Sequence, residues 1–168
     1  LANRYIEEHP YCVEVGAVMP YYGLPNNRTV IDPYDPHPFC TKINAEDFQF
    51  KNDDVLSIST IEHMGETTSY GFNFKTKDSQ ASSLFLEKLL LDAKTFFVSI
   101  PVHAHPVLDE YLKHNLNKYK WFAYCKTSQN PAFWSLSFDD KFVFSHKYAR
   151  PFECANAVLF LTKGIELE

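Results

Sequence analysis

The chain has few glycines and no run of basic residues, and each shortage excludes a class of protein. Only 5 of its 168 residues are glycine, and neither G-x-x-x-x-G-K-[ST] nor G-x-S-x-G occurs, which excludes the P-loop enzymes and the common serine hydrolases. Lysine and arginine total 16 against 21 acidic residues, a net charge of −5. Because nucleic-acid binding needs clustered positive charge, we expect no nucleic-acid partner.

Long apolar runs and paired cysteines are also lacking. No stretch is long enough to span a bilayer and no signal-peptide pattern opens the chain, so we expect no membrane partner. The four cysteines are scattered at Cys12, Cys40, Cys125 and Cys154, without a C-x-x-C pair. This spacing is typical of reduced, buried thiols in a cytoplasmic protein, whereas a zinc site would need closer pairs.

What the chain does contain is ample material for a core. Hydrophobic residues make up 45% and aromatic residues 16% of the sequence, which predicts one packed domain over residues 1–168. The chain begins with Leu1 instead of Met, and we expect it to be a segment of a longer protein.

Strand and helix patterns alternate over the first two thirds of the chain. The predicted strands are 11–15, 29–32, 41–44, 54–60 and 95–102. The predicted helices are 2–9, a segment from Asp78 or Ser79 to Ala93, and 106–117, with room for only one helical turn within 17–28. Such alternation predicts an α/β fold with a mostly parallel sheet.

The last third has a different pattern. Short aromatic segments at 121–126, 132–138 and 141–147, followed by 155–162, read as strands of an antiparallel extension. The aromatic side chains of this extension can serve as ordinary core, as a lid over a substrate, or as a dimer face, and burial in the core is the favoured interpretation.

Polar residues collect where the predicted parallel strands end, which is where α/β sheets bind ligands. The residues at these strand ends, in strand order, are Glu14 and Gly16; Asp32; Asn44, Glu46 and Asp47; Ser59, Thr60, Glu62 and His63; and His103 and His105. The sequence predicts a functional site at this rim of the sheet.

Each of these positions also has a structural interpretation. Asp32 precedes Pro33 and can be a turn former, or it can accept hydrogen bonds from the two hydroxyls of a ribose. Glu62 and His63 can form a loop ion pair or a cap, or His63 can act as a general base. His63, His103 and His105 together can hold a metal, although an H-x-H pair has low specificity.

The order of these motifs resembles the class I S-adenosylmethionine-dependent methyltransferases, in particular small bacterial members. The matching stretches are VEVG at 13–16, TVID at 29–32, NAEDFQF at 44–50, DVLSISTIEHMG at 54–65 and FFVSIPV at 96–102. The resemblance covers about residues 11–116, and IEHMG is its most specific part. It implies a Rossmann-like methyltransferase sheet with antiparallel C-terminal strands and a shortened first helix.

The resemblance also implies a role for each site residue. Glu14 and Gly16 fall on the motif that approaches the methionine part of S-adenosylmethionine, and Asp32 falls on the acid that holds the ribose. Asn44 or Asp47, with Ala45 between them, falls on the segment that reads adenine. Ser59 and Thr60 fall on the strand end that lines the site of methyl transfer.

The implied activity is methyl transfer to an oxygen or nitrogen atom of a small polar metabolite or sugar. We expect His63 to act as the base, oriented by Glu62 or His103. The alternative is a non-catalytic, methyltransferase-like binding or scaffolding module. The chain keeps only the first glycine of the family's glycine-rich turn, which reads GAVMP at 16–20, and the helix that follows is cut to about one turn.

Overall fold

A computed structural model describes residues 1–23, 27–65 and 80–165 of the chain. The expected start of the second helix, at Asp78 or Ser79, lies outside these residues. The described residues contain eight strands: β1 (Val13–Val15), β2 (Thr29–Ile31), β3 (Cys40–Thr41), β4 (Asp54–Ile58), β5 (Thr95–Pro101), β6 (Lys120–Gln129), β7 (Ala132–Ser137) and β8 (Ala157–Lys163).

The strands form one sheet in the order β3-β2-β1-β4-β5-β8-β6-β7. The first five strands pair in parallel, while β8 is antiparallel to both β5 and β6, and β7 is antiparallel to β6. This confirms the prediction of an α/β fold with a mostly parallel sheet and an antiparallel C-terminal part. The last strand enters the middle of the sheet, between β5 and β6.

Among the described residues, four α-helices cover the two faces of the sheet: α1 (Ala2–Glu8), α2 (Ala81–Asp92), α3 (Pro106–Asn115) and α4 (Asp140–Ser145). Successive strand residues point to opposite faces. Phe96 accordingly joins a core with side chains of α2, α3 and α4, whereas Phe97 joins a second core with Tyr5 and Ile6 of α1. The sheet is therefore the middle layer of three.

The strand order reverses at β1, which lies between β2 and β4. The chain leaves β1 toward β2 and β3 on one side, and later returns to β4 and β5 on the other. In open parallel sheets such a reversal leaves a crevice at the carboxyl ends of the two central strands, because their connections diverge. The fold therefore places a crevice beside Val15 and Ile58.

Residues 141–147 were predicted to be a strand, and this prediction is wrong. They belong largely to α4, which begins after Asp139. The Asp139 carboxylate accepts a hydrogen bond of 3.1 Å from the Phe142 backbone N–H, as an N-cap residue does. The β-prone composition of the segment is overridden by this cap and by burial of Val143 against the sheet.

The cysteine prediction is confirmed for three of four positions. All four thiols are free, and Cys12, Cys40 and Cys125 are buried, but Cys154 is exposed. Burial raises the pKa of the Cys12 thiol to about 12, so it stays protonated at neutral pH. In the part of the chain that the structure describes, no helix has the length and apolar character needed to cross a membrane.

A polar network fastens α1 to the amino ends of β4 and β5, where Asp54 and Thr95 lie. The Tyr5 hydroxyl lies 2.8 Å from the Thr95 hydroxyl, which in turn lies 2.9 Å from one oxygen of Asp54. The other oxygen of Asp54 lies 3.1 Å from the His9 ring nitrogen. Burial alone would raise the pKa of Asp54, but its contacts with Thr95 and His9 lower it below its usual value.

Replacement of Asp54 by asparagine is expected to lower the free energy of unfolding at pH 7 by about 1 kcal/mol. A carboxyl whose pKa is lower in the folded than in the unfolded state stabilises the fold above its unfolded pKa. The difference from wild type is therefore expected to shrink as the pH falls below about 5 and to vanish once Asp54 is protonated in both states.

Urea denaturation across this pH range measures the difference. Asp92→Asn is the matched control, since Asp92 is exposed at the end of α2 and is expected to have a small effect at every pH. A deficit for Asp54→Asn that stays constant down to acid pH would contradict the assigned role of the carboxylate.

Candidate functional site

A cleft of about 970 Å³ lies at the carboxyl ends of the first four strands. Its walls come from the segments that follow β1, β2, β3 and β4 and from one side of α2. The sequence-predicted residues that line it are Gly16, Asp32, Asn44, Ala45, Glu46, Asp47, Ser59, Thr60 and His63. The fold thus brings together most of the polar residues that the sequence places at this rim.

The loop after β1 uses its own backbone N–H groups internally. The N–H of Gly16 donates to the Ile31 carbonyl at 2.9 Å, and that of Ala17 donates to Asp32 Oδ2 at 3.1 Å. The N–H groups of Val18 and Met19 both donate to Glu14 Oε1, at 3.0 and 2.7 Å. All four N–H groups from 16 to 19 therefore have acceptors within the protein.

Glu14 lies beneath this loop and does not line the cleft. It is fully buried, and its second oxygen pairs with the Arg28 guanidinium at 3.1 Å, with both side chains shielded from solvent. Burial raises the pKa of Glu14, while the loop N–H of Met19 and the charge of Arg28 oppose that rise. The structure therefore assigns Glu14 to holding the loop in shape.

Gly16 is required by the loop for two reasons. Its φ of +83° is a conformation that side chains disfavour. A Cβ at this position would also overlap the side chain of Thr60, which lies directly against it. The glycine permits close approach of the ends of β1 and β4, so its presence is explained without a bound ligand.

Asp32 joins the ends of β1 and β2 and is half-buried in the cleft wall. Its Oδ2 accepts from Ala17 at 3.1 Å, and its Oδ1 accepts from the N–H groups of Tyr34 and Asp35, both at 2.9 Å. A carboxylate has about four acceptor positions. Asp32 is thus both a turn former and, at Oδ2, a group with room for one further donor from the cleft.

The segment after β3 presents the polar side chains of Asn44, Glu46 and Asp47 to solvent and has one small buried residue. Asn44 and Asp47 are exposed and joined by a hydrogen bond of 3.2 Å, while Ala45 is buried. Lys88 of α2 holds the segment in place, because its Nζ donates to the carbonyls of Glu46 and Phe48, both at 2.6 Å. The segment is a fixed wall of the cleft.

The segment after β4 brings His63 to the cleft. It forms a short 3₁₀ turn, Ile61–His63, and the Ser82 hydroxyl of α2 donates to the Ile61 carbonyl at 2.7 Å. The His63 side chain is 34% exposed, and its Nε2 lies 3.9 Å from Oε1 of Glu62, which is buried. Glu62 is thus shielded from solvent beside His63, at a distance that allows an ion pair but exceeds a hydrogen bond.

Ser59 and Thr60 lie between β4 and this turn. The Ser59 N–H donates to both the carbonyl and the hydroxyl of Ser99, at 3.0 and 3.2 Å, which ties the end of β4 to β5. The Thr60 hydroxyl donates to the Ile58 carbonyl at 3.0 Å. Both residues line the cleft, and the hydrogen bonds that they make within the protein hold the end of β4 in place.

His103 lies at the end of β5, apart from the residues that line the cleft. Its Nε2 lies 2.9 Å from the Phe144 carbonyl and its Nδ1 lies 3.6 Å from Oδ2 of buried Asp109. His105 is also hydrogen-bonded within the protein, because its Nδ1 accepts from the Leu108 N–H at the start of α3. These contacts assign both histidines to fastening α3 and α4.

The metal interpretation of His63, His103 and His105 gains no geometric support. Within residues 1–23, 27–65 and 80–165, no group of three or more His, Cys, Asp or Glu side chains is arranged to hold a metal ion. The H-x-H spacing placed two imidazoles close in sequence, but the turn after β5 directs them to different partners.

Two residues that position the site were not predicted from the sequence. Arg28 neutralises Glu14, and Lys88 supports the wall after β3. A glutamate inside a short apolar strand is a signal that could have found Arg28, since a buried carboxylate needs a compensating charge. Lys88 lies 42 residues from Glu46, and its contacts depend on how α2 packs.

A scan against family models and searches of curated proteins and of solved structures returned no match to this chain.

Proposed function

We propose that this chain is an S-adenosylmethionine-dependent methyltransferase whose cofactor binds in the cleft at the ends of β1 to β4. The observation that carries the proposal is the position of Asp32. It lies at the end of the strand next to the reversal in strand order, in the wall of a cleft of about 970 Å³, at the upper end of the range for small-molecule sites.

The strand order supports a Rossmann-like methyltransferase fold. The order β3-β2-β1-β4-β5 is that of the first five strands in doubly wound nucleotide-binding folds. The antiparallel β8 between β5 and β6 is the departure from that order, and it corresponds to the segment 155–162 that resembles the family's last strand.

The residues of the cleft fit the parts of the cofactor unequally. Asp32 Oδ2 has room for one ribose hydroxyl beside its bond from Ala17. The exposed side chains of Asn44 and Asp47 are available to contact a purine ring, and the Oδ1 atom of Asn44 could accept a hydrogen bond from it. The fit is weakest at the methionine end, where Glu14 is buried beneath the loop and the loop N–H groups already have acceptors.

The cofactor, when bound, supplies an electrophilic methyl group on a sulfonium centre. The protein's part is to align the acceptor for in-line displacement and to remove a proton from it. His63 is the cleft residue suited to take that proton, and buried Glu62, 3.9 Å away, supplies a negative charge that favours the protonated ring. A hydroxyl or amine of a small polar metabolite or sugar is the acceptor class proposed.

A second candidate function is a methyltransferase-like module that no longer binds the cofactor. The internal use of every N–H from 16 to 19 favours it, as does the packing of Thr60 against Gly16. In this case the residues of the cleft wall serve to hold the strand ends together, and the chain acts as a binding or scaffolding module.

Calorimetry with S-adenosylmethionine and with its demethylated product distinguishes the two functions. We expect binding by the wild type and a loss of 10-fold to 100-fold in affinity for Asp32→Ala, because one charge-assisted hydrogen bond contributes about 1.5–3 kcal/mol. The variant also loses three bonds to backbone N–H groups, so titrations are run where its thermal melt shows it folded.

Asp92→Ala is the matched control, since Asp92 is an exposed aspartate outside the cleft, and its affinity is expected to equal that of wild type. No heat and no thermal shift at millimolar ligand would overturn the methyltransferase proposal in favour of the non-catalytic module. An unchanged affinity for Asp32→Ala would remove Asp32 from the ribose site.

A further inference from the structure

The C-terminal hairpin leaves an apolar strand at the edge of the sheet. In the described residues β7 is the outermost strand on its side and pairs with β6 alone. Its residues are exposed from Ala132 to Leu136. The large apolar side chains exposed on it and just beyond it are Phe133, Trp134, Leu136 and Phe138. The expectation that these aromatic segments form core is therefore wrong for β7, although Phe122 of β6 is buried.

The two edges of the sheet differ in how they are protected against pairing. At the opposite edge β3 is only two residues long, follows a loop with prolines at 33, 36 and 38, and is followed by Lys42. Short strands, prolines and lysines are devices that block edge pairing. Residues 132–138 contain neither a proline nor a charge. Pro131 precedes β7 and Asp139 follows this stretch, but the strand itself has six residues and carries neither device within it, whereas β3 has only two residues to pair.

The exposed area favours a second copy of this chain as the partner, and charge at the contact does not oppose it. The net charge of −5 repels another copy in general, but two uncharged strands bring no like charges together at the contact. Four large side chains that are each roughly half exposed offer about 100 Å² apiece. With strand backbone and small side chains added, a symmetric pair would bury about 1,000 Å², the lower bound for a specific interface.

We propose that β7 pairs antiparallel with β7 of a second copy, so that two eight-stranded sheets become one continuous sheet in a dimer. A two-fold axis at Ser135 sets the register. Trp134 of each copy then lies opposite Leu136 of the other, an aromatic–aliphatic pair of the kind that stabilises sheets. Phe133 lies opposite Ser137 on the other face of the same strand.

Sedimentation equilibrium on the purified chain tests the proposal. We expect a wild-type dimer with a dissociation constant on the order of micromolar, as for an interface of modest area. Leu136→Lys is expected to weaken it at least tenfold, because a charge replaces the apolar partner of Trp134. Phe133→Lys is a second variant on the opposite face of the strand, with the same expected direction. Leu91→Lys is the matched control, since Leu91 is 82% exposed on α2, and it is expected to leave dimerisation unchanged.

A mixing experiment tests the register. Trp134→Glu and Leu136→Lys each weaken self-pairing, but a mixture of the two variants places glutamate opposite lysine once and retains one Trp134–Leu136 pair. We expect the mixed dimer to form more tightly than either variant alone. A monomeric wild type at high micromolar concentration would overturn the proposal. It would also be overturned if Leu136→Lys and Leu91→Lys behaved alike, and a mixture no tighter than its components would overturn the register.

Discussion

Replacement of Gly16 by alanine is expected to lower the free energy of unfolding by about 3 kcal/mol. Part of this loss is the strain of placing a side chain at φ +83°, about 1–2 kcal/mol. The rest is the overlap of the new Cβ with Thr60, since overpacking costs about 1–3 kcal/mol. Chemical denaturation followed by circular dichroism measures the total.

Gly23 is a matched control that separates the two costs. It has a similar φ of +76°, but no atom of the described residues lies within 4 Å of a Cβ built there. Gly23→Ala should therefore lose only the strain part, about 1–2 kcal/mol. The double variant Gly16→Ala/Thr60→Ala should recover some of the loss, because the outer atoms of Thr60 are gone. Equal effects at Gly16 and Gly23 would contradict the close contact between the ends of β1 and β4.

Replacement of Arg28 by methionine is expected to destabilise the fold by about 3–5 kcal/mol at pH 7. Methionine keeps much of the side-chain volume but leaves the Glu14 carboxylate buried without its cationic partner. The exposed pair between Arg4 and Glu8 on α1 provides the matched control. Arg4→Met is expected to cost about 0.5 kcal/mol or less, since exposed pairs contribute little.

The deficit of Arg28→Met should also depend on pH. Loss of Arg28 raises the pKa of Glu14 further above its unfolded value of about 4.3. A raised folded-state pKa of an acid means that stability falls as pH rises, so the deficit should be largest at neutral pH and shrink on acidification. Glu14→Gln/Arg28→Met, in which the amide oxygen still accepts from the loop, should recover part of the stability at pH 7. A deficit equal to that of Arg4→Met would contradict the role of this pair.

The outline of the fold could be predicted from the sequence because it depends on local pattern. The apolar, β-branched run 54–60 contains β4 (Asp54–Ile58), and Pro106 begins α3 as a proline at the first helical position does. Alternation of strands with helices then implied the parallel sheet, and aromatic hairpin segments implied its antiparallel end. The segment 141–147 was missed because its composition is β-prone, whereas a single cap at Asp139 set its conformation.

The grouping of polar residues at the cleft was likewise predictable. Parallel strands end at one rim, so any polar residue after such a strand is brought there, as Asp32 and His63 are. His103 follows a strand too, but the turn after β5 takes a φ of +62° at His103 itself, and the ring bonds to α4 instead. Strand ends give the rim on which a residue lies but not the direction of its side chain.

The sequence by itself therefore determined the α/β class and the rim where polar groups meet. Only the tertiary structure decided what those groups touch. Glu14 turned beneath its loop to meet Arg28, Thr60 filled the space beside Gly16, and β7 was left bare at the edge of the sheet. The physical reason is that periodicity and turn chemistry act over a few residues, whereas charge compensation, packing and edge exposure depend on neighbours that only the folded sheet supplies.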